Sequence, residues 1–125
     1  MSFSYSKKDK LKSQKLIEQL FSEGKSVSAF PLRMVYLKTE FEDGVKFKTG
    51  VSASKRNFKK AVDRNRIKRL IREAYRLHKT SYFNNISGSY ALMILYISKD
   101  GTDFDSVETK MKQLLDTFSK KVSQN

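Results

Sequence analysis

The sequence predicts a single α+β domain in which a small mixed sheet carries helices. Three observations lead there. The chain has 125 residues, the size of one domain and not of two. Apolar and polar residues alternate in two stretches between positions 32 and 54, the period of half-buried strands. Apolar residues recur at spacings of three and four near both ends and in the middle, the period of helices. Hydrophobic residues make up 38% and aromatics 12%, enough to bury a core rather than leave a disordered chain. One domain over 1–125 is expected, with 1–12 a flexible basic arm, because four lysines (7, 8, 10 and 12) crowd its second half.

Residues 13–24 read as a short amphipathic helix. Ser13 stands where an N-cap belongs, Leu16, Ile17, Leu20 and Phe21 recur at helical spacing, and Gly24 closes it. Residues 32–37 form a strand entered by Pro31, with Leu32, Met34 and Tyr36 on one face and Arg33, Val35 and Leu37 on the other. A turn with an Asp43-Gly44 signal leads to a second strand over 45–54. There Val45, Phe47, Thr49, Val51 and Ala53 oppose Lys46, Lys48, Gly50, Ser52 and Ser54, and the two strands are expected to pair as an antiparallel hairpin.

A helix is expected over 58–79, then a polar turn containing Asn84, Asn85 and Gly88. The apolar run 90–97 shows no alternation, which suggests a strand covered on both faces. From about Asp105 the residues Val107, Met111, Leu114, Leu115, Phe118 and Val122 share one helical stripe, with Asp105 and Glu108 spaced as a capping box. No repeat, low-complexity tract or linker interrupts this order.

Composition excludes several kinds of chemistry. Without cysteine there is no disulfide framework, thiolate zinc site or cysteine nucleophile, and with His78 as the only histidine a classical zinc site or a serine triad is not expected. The longest apolar run falls far short of the roughly 20 residues that span a bilayer. Charges at the N-terminus precede no apolar h-region, so neither a secretory leader nor a membrane partner is expected, and the expected location is cytoplasmic.

What stands out is charge. Lys and Arg number 26 against 13 Asp and Glu, a net +13, which attracts polyanions from a distance. Eleven of those cations lie between positions 55 and 79, facing only Asp63 and Glu73. On a helical projection Ile67, Leu70, Ile71, Ala74, Leu77 and His78 form an apolar stripe. Lys68, Arg69, Arg72, Arg76 and Lys79 gather opposite it with Asn65, while Arg64 and Arg66 flank it. A merely solvated helix face would mix signs, with Glu four residues ahead of Lys or Arg. This arc is almost purely cationic, so a partner outside the chain must offset the repulsion. Arginine forks bind phosphate through paired hydrogen bonds, which points to a structured nucleic acid, and backbone N–H groups at the helix start, near Asp63 or Asn57, could add anion contacts.

The run Arg64-Asn65-Arg66-Ile67-Lys68-Arg69-Leu70-Ile71-Arg72-Glu73-Ala74-Tyr75-Arg76 resembles the signature of the bacterial ribonuclease P protein component. Ser54-Lys55-Arg56, the pair Ala61-Val62, Gly50-Val51-Ser52 and the helix ending Phe21-x-x-Gly24 are similar to that family as well, so the likeness covers nearly the whole chain. The resemblance implies an αβββαβα fold with a mixed sheet and a left-handed β-α-β crossover, against the usual right-handed rule. It implies a protein subunit of a ribonucleoprotein endoribonuclease that removes the 5′ leader of precursor tRNA. Its partners would be a catalytic RNA, in a complex of one protein with one RNA, and precursor tRNA. The RNA, with magnesium ions bound mainly to it, would do the chemistry, and this chain would hold no catalytic residue and no organic cofactor.

Carried over position by position, the resemblance implies that Lys55, Arg56, Arg64, Asn65, Arg66, Lys68, Arg69, Arg72 and Arg76 bind the catalytic RNA. It implies a leader-binding cleft between the first helix and the sheet, at Ile17, Phe21, Tyr36 (or Val35 in the neighbouring register), Lys46 and Lys48. For Phe21 and Tyr36 the simpler alternative is core packing. His78 reads as structural, and Asp63 as a helix cap rather than a metal ligand. A ribosomal-type or other structural RNA-binding protein would share the charge without requiring the spacing from Ser54-Lys55-Arg56 to Arg64-Asn65-Arg66. A membrane-surface helix would need exposed hydrophobes that the core claims instead, and a stand-alone nuclease would need clustered acids that the sequence does not supply.

Overall fold

The computed structural model describes residues 9–123. Along the chain run α1 (Gln14–Glu23), β1 (Lys25–Ala29), β2 (Leu32–Lys38), β3 (Phe47–Ala53), α2 (Ala61–Phe83), β4 (Tyr90–Tyr96) and α3 (Phe104–Ser123). This is the αβββαβα order that the resemblance implied. The four strands form one sheet in the order β1-β2-β4-β3, antiparallel except for the parallel β3/β4 pair that α2 connects.

The expected hairpin between residues 32–37 and 45–54 does not form. β4 lies between β2 and β3, and the hairpin partner of β2 is β1, which the sequence reading left unassigned. The physical reason is the composition of β4. A strand with apolar side chains on both faces needs neighbours and cover on both sides, so it takes the centre of the sheet. The segment after β2 therefore crosses the start of β4: Thr39 N–H donates to the Ser89 carbonyl (2.9 Å) and Tyr90 N–H to the Lys46 carbonyl (2.8 Å).

One sheet face, with Leu32, Met34, Tyr36, Leu92, Ile94 and Tyr96, packs against α2 and α3, which contribute Ile67, Ile71, Ala74, Tyr75 and the stripe from Val107 to Phe118. The other face, with Val35, Ala91 and Met93, packs against Leu20 of α1 and Leu11. Tyr75, absent from the predicted stripe, is fully buried and accepts a hydrogen bond from the Thr49 hydroxyl (2.8 Å). His78 bridges the two helices through Glu108 (2.8 Å).

Helix ends differ from the sequence reading for local reasons. Ser13 caps α1 by accepting the Leu16 N–H (3.2 Å). Gly24 is extended rather than left-handed, with φ −73°. A Cβ there would collide with the Leu20 carbonyl and lie 2.9 Å from the Tyr36 carbonyl, so the glycine allows α1 to meet β2 closely. Helix α2 begins three residues later than expected, because Phe58 sits in a turn (its N–H donates to the Ser54 carbonyl, 3.0 Å) with its ring 5.8 Å from that of Tyr96. It runs four residues further, to Phe83, whose ring stacks on Phe47 at 4.4 Å. In α3 the cap is Asp103, which accepts the Ser106 N–H (2.8 Å), and not the expected Asp105. The expected free arm is partly docked: Lys10 bridges to Thr49 alongside β3, the Leu11 N–H donates to the Thr49 carbonyl (3.2 Å), and Leu11 is buried. Residues 1–8, including Lys7 and Lys8, lie outside the described residues.

Buried and exposed aromatics should separate in stability measurements. Phe118→Ala, which empties a fully buried site edge-on to Tyr36, Phe83 and Tyr90, is expected to cost about 3–5 kcal/mol in urea unfolding. Phe21→Ala, at a site 51% exposed, should stay within about 0.5 kcal/mol of the parent.

Candidate nucleic-acid interface

The cationic segment begins in the loop after β3. There Ser54 folds the chain back by accepting the Arg56 N–H on its side chain (3.0 Å), and Lys55, Arg56, Lys59 and Lys60 are all exposed. Lys60 is the N-cap of α2 and offers no side-chain cap. Asp63 sits in the first turn and is exposed. It complements the helix dipole from inside the helix, rather than capping it as expected.

Geometry divides the arginines into two kinds. Arg64 and Arg66 are anchored. Arg64 Nη1 donates to the carbonyls of Phe58 (2.8 Å) and Lys59 (3.0 Å), holding the preceding loop against the helix. Arg66 Nη1 donates to the Thr102 carbonyl (2.9 Å), at the entry to α3. Their partners are neutral carbonyls, so both guanidinium groups keep their charge and their remaining N–H donors. Arg69 and Arg72 are exposed and form no ion pair with a described residue, and Lys68 is half-buried and likewise unpaired. With Asn65, also exposed, these side chains make the open arc.

Two predicted members of the arc are compensated internally. Arg76 pairs with Glu73 through two contacts, Nη2–Oε1 at 2.5 Å and Nε–Oε2 at 3.3 Å. Lys79 lies 3.5 Å from the Asp9 carboxylate and over the Tyr75 ring. The fully cationic surface therefore ends near Arg72. The one Glu in the C-terminal half of the predicted arc was visible in the sequence, and its i,i+3 spacing to Arg76 is the signal that separates Arg76 from the rest.

The second predicted cluster is split by the sheet. Ile17 is half-buried against the cluster that includes Leu20, Val35 and Met93, and Phe21 projects from the same helix. Lys48 lies on that face too, paired with Asp43 (3.0 Å) and over the Phe41 ring. Tyr36 does not belong to it. Its ring is 8% exposed and stands edge-on to Phe118 at 5.0 Å, on the face that carries α2 and α3. Strand alternation puts Val35 on the α1 side, and Val35 is buried there. Lys46 is also displaced, since its ammonium donates to the Ile86 carbonyl (2.8 Å) and it lines a cavity with Tyr75, Lys79 and Phe83 beyond the sheet edge. The reading missed Arg33, which is exposed on the α1 side of β2 and opposite Leu95. Its strand parity with Val35 and Leu37 was the available signal.

Among the described residues no three His, Cys, Asp or Glu side chains come together to hold a metal ion, and no helix is long and apolar enough to cross a membrane.

Comparison with known proteins agrees in fold and sequence. A family model described as Ribonuclease P matches residues 5–119. The chain is 36% identical over 119 residues to the ribonuclease P protein component of Porphyromonas gingivalis, covering 91% of this chain and 85% of the relative. It is 35% identical over 114 residues to that of Dictyoglomus thermophilum, covering 90% and 87%. The fold is similar to the solved RNase P protein of Thermotoga maritima, with TM-score 0.68 and 24% identity over 86% of this chain and 96% of that one. For a Staphylococcus aureus RNase P protein the TM-score is 0.69, at 21% identity over 88% and 94%.

The Glu73–Arg76 pair gives a pH test. The hydrogen bond from Arg76 holds the Glu73 carboxyl below the usual glutamate range. Its stabilising contribution is complete above that range and is lost as the pH falls through the lowered value. A carboxyl-detected NMR titration should find Glu73 titrating below the other glutamates, and Arg76→Gln should return it to the ordinary range.

Proposed function

The chain belongs to the ribonuclease P protein component family, and from that premise we propose which of its surfaces meets which RNA. As the protein subunit of ribonuclease P it acts with the ribonuclease P RNA and precursor tRNA in tRNA processing, within a ribonucleoprotein endoribonuclease whose catalysis belongs to the RNA. The family carries out magnesium-dependent catalysis. We assign those ions mainly to the RNA, as the partner that carries the chemistry. The working location we infer is the cytoplasm.

The docking surface for the catalytic RNA is the open arc: Lys55 and Arg56 in the loop, then Asn65, Lys68, Arg69 and Arg72 on α2. One observation carries this reading: Arg69 and Arg72 stand exposed, one helical turn apart, with no carboxylate of a described residue answering either. Guanidinium groups left bare in this way can replace the counterions condensed on RNA phosphates, and the release of those ions drives binding. Arg64 and Arg66 shape the loop and the α3 entry and offer their free N–H groups to the same RNA. Arg76 contributes less, since Glu73 already holds it.

The precursor leader lies on the other side of the sheet, along α1. Phe21 supplies the stacking ring, Ile17 the apolar floor, and Lys48 and Arg33 the charges that follow a backbone. Stacking and charge together accept many sequences, as a variable leader demands. Tyr36 and Lys46 have no part in it, because one is in the core and the other turns toward the end of α2.

Arg69→Ala and Arg72→Ala should each weaken binding of a bacterial ribonuclease P RNA by about 1–2 kcal/mol and lower the salt slope by about one phosphate contact. Arg76→Ala should do less than half of that. Filter binding across a salt series checks the order, and equal losses at all three positions would refute the assigned arc. Phe21→Ala should cost about 1–3 kcal/mol in affinity for precursor tRNA and leave mature tRNA unaffected. Competition between the two substrates in the reconstituted complex, at low magnesium with 5′ cleavage as the readout, checks it.

A further inference from the structure

A second cationic site lies at the opposite end of the sheet. Lys25 pairs with Tyr36 across β1/β2, and Lys38 pairs with Tyr90 across β2/β4. Residues directly opposite on neighbouring antiparallel strands share a face, as do residues two apart on one strand. Lys25, Tyr36, Lys38 and Tyr90 therefore form a two-by-two patch on the face that carries α3, and the two tyrosine rings lie 6.4 Å apart. The last turn of α3 adds Lys121. Together with Glu23 these residues line a cavity of about 360 Å³, a size that admits a small ligand.

Tyr36 and Tyr90 are 8% and 5% exposed, and neither hydroxyl has a hydrogen-bond partner among the described residues. Among the described residues no side-chain oxygen or nitrogen is fully buried without a partner, so both hydroxyls must reach open space, and the cavity is the open space they line. None of the three lysines forms an ion pair with a described residue. Among the described residues that line it, one carboxylate, Glu23, stands with three ammonium groups, a balance of +2.

We propose that this pocket binds a phosphate group, with the Tyr36 and Tyr90 hydroxyls and the Lys25, Lys38 and Lys121 ammonium groups as its donors. Nothing in the docking arc or the leader surface uses it, and it goes beyond the function assigned above. Five donor groups around one cavity and a surplus of two positive charges in its described lining suit a tetrahedral dianion better than a planar carboxylate, which accepts fewer bonds and carries half the charge. Burial raises both phenols above the usual tyrosine range, and for Tyr36 the neighbouring Tyr90 adds to it. Both therefore keep the proton they would donate throughout the neutral range. The phosphate can come from an RNA backbone or from a free nucleotide.

The test is an NMR titration of the ¹⁵N-labelled full chain with inorganic phosphate at constant ionic strength. Saturable amide shifts are expected at Lys25, Tyr36, Lys38, Tyr90 and Lys121. Tyr36→Phe and Tyr90→Phe remove only a hydroxyl and should each raise Kd about three- to tenfold. Lys121→Gln, at an exposed helix end where folding is not at stake, should raise it by a similar factor. Acetate should bind at least threefold more weakly than phosphate. Shifts that do not saturate, that ignore both tyrosine changes and Lys121→Gln, or that acetate reproduces at equal concentration would overturn the site, as would loss of these shifts in Arg72→Ala. Two further arms identify the source. If changing Lys25, Lys38 and Lys121 together lowers the salt slope for ribonuclease P RNA, the phosphate is the RNA's. If a nucleoside 5′-monophosphate displaces inorganic phosphate while RNA affinity is unchanged, it is a free nucleotide's. Either result supports the pocket, and neither depends on whether Arg69 and Arg72 form the docking arc.

Discussion

A strand with large apolar side chains on both sides can be stable only where both of its faces are covered, and β4 imposes that condition on the whole molecule. Tyr90, Leu92, Ile94 and Tyr96 point into the layer shared with α2 and α3, while Ala91 and Met93 point toward α1 and Leu11. Each fully buried large side chain there contributes about 1.5–3 kcal/mol relative to exposure. Two helices are thus committed to one face and one to the other. The consequence for function is spatial: the outer arc of α2 and the outer side of α1 are left facing opposite directions, so one RNA surface cannot serve for both.

The size of the electrostatic terms explains how α2 tolerates its own charge. Side chains three or four apart on a helix lie about 5–6 Å from each other, and two like charges at that distance in water repel by about 0.7 kcal/mol before salt screens them. Arg69 and Arg72 add one such term, and Lys68 with Arg72 another. Against them stand Ile67, Ile71, Ala74 and Tyr75, all buried, whose packing outweighs repulsion of this size several times over. The helix can therefore present uncompensated cations without unwinding. Arg64 and Arg66 go further, since their bonds to loop carbonyls make charge part of the scaffold while leaving it available to phosphate.

Patterns confined to one element were legible in the sequence: the Ser13 cap, the stripe of α3, the two-sided apolar run of β4 and the cationic bias of α2. Pairing between elements was not. Alternation in β2 and β3 announces strands but says nothing about which strand sits between them, and the Asp43-Gly44 turn signal suggested a hairpin that the centrality of β4 rules out. The same gap misplaced Tyr36. Its parity with Leu32 and Met34 was read correctly, yet which face would carry α1 depended on the sheet order, so a core ring was offered to the leader surface. Lys46 failed for another reason, because it precedes β3 and its long stem follows the sheet edge to Ile86. A one-dimensional pattern cannot encode that reach. The proposed docking face of α2 was easier to read, because a run of cations answered by few carboxylates is visible in the residue types alone.

The distance between the two cationic regions decides how they can cooperate. Tyr90 lines the pocket, and Tyr96, six residues along the same strand, packs against Phe58 at the approach to α2. At about 3.3 Å per residue this puts the pocket roughly 20 Å along the sheet from the loop that carries Lys55 and Arg56, more than two Debye lengths at physiological ionic strength. A phosphate held at one end therefore neither attracts nor repels one held at the other to a measurable extent. Cooperation between them must come from a single polyanion long enough to touch both, in which case their contributions to the salt slope add. If the pocket holds a separate small phosphate instead, its occupancy leaves the docking of RNA on α2 unchanged. Charge alone makes a small basic protein sticky. Dividing it into patches that do not sense one another lets each surface keep its own ligand.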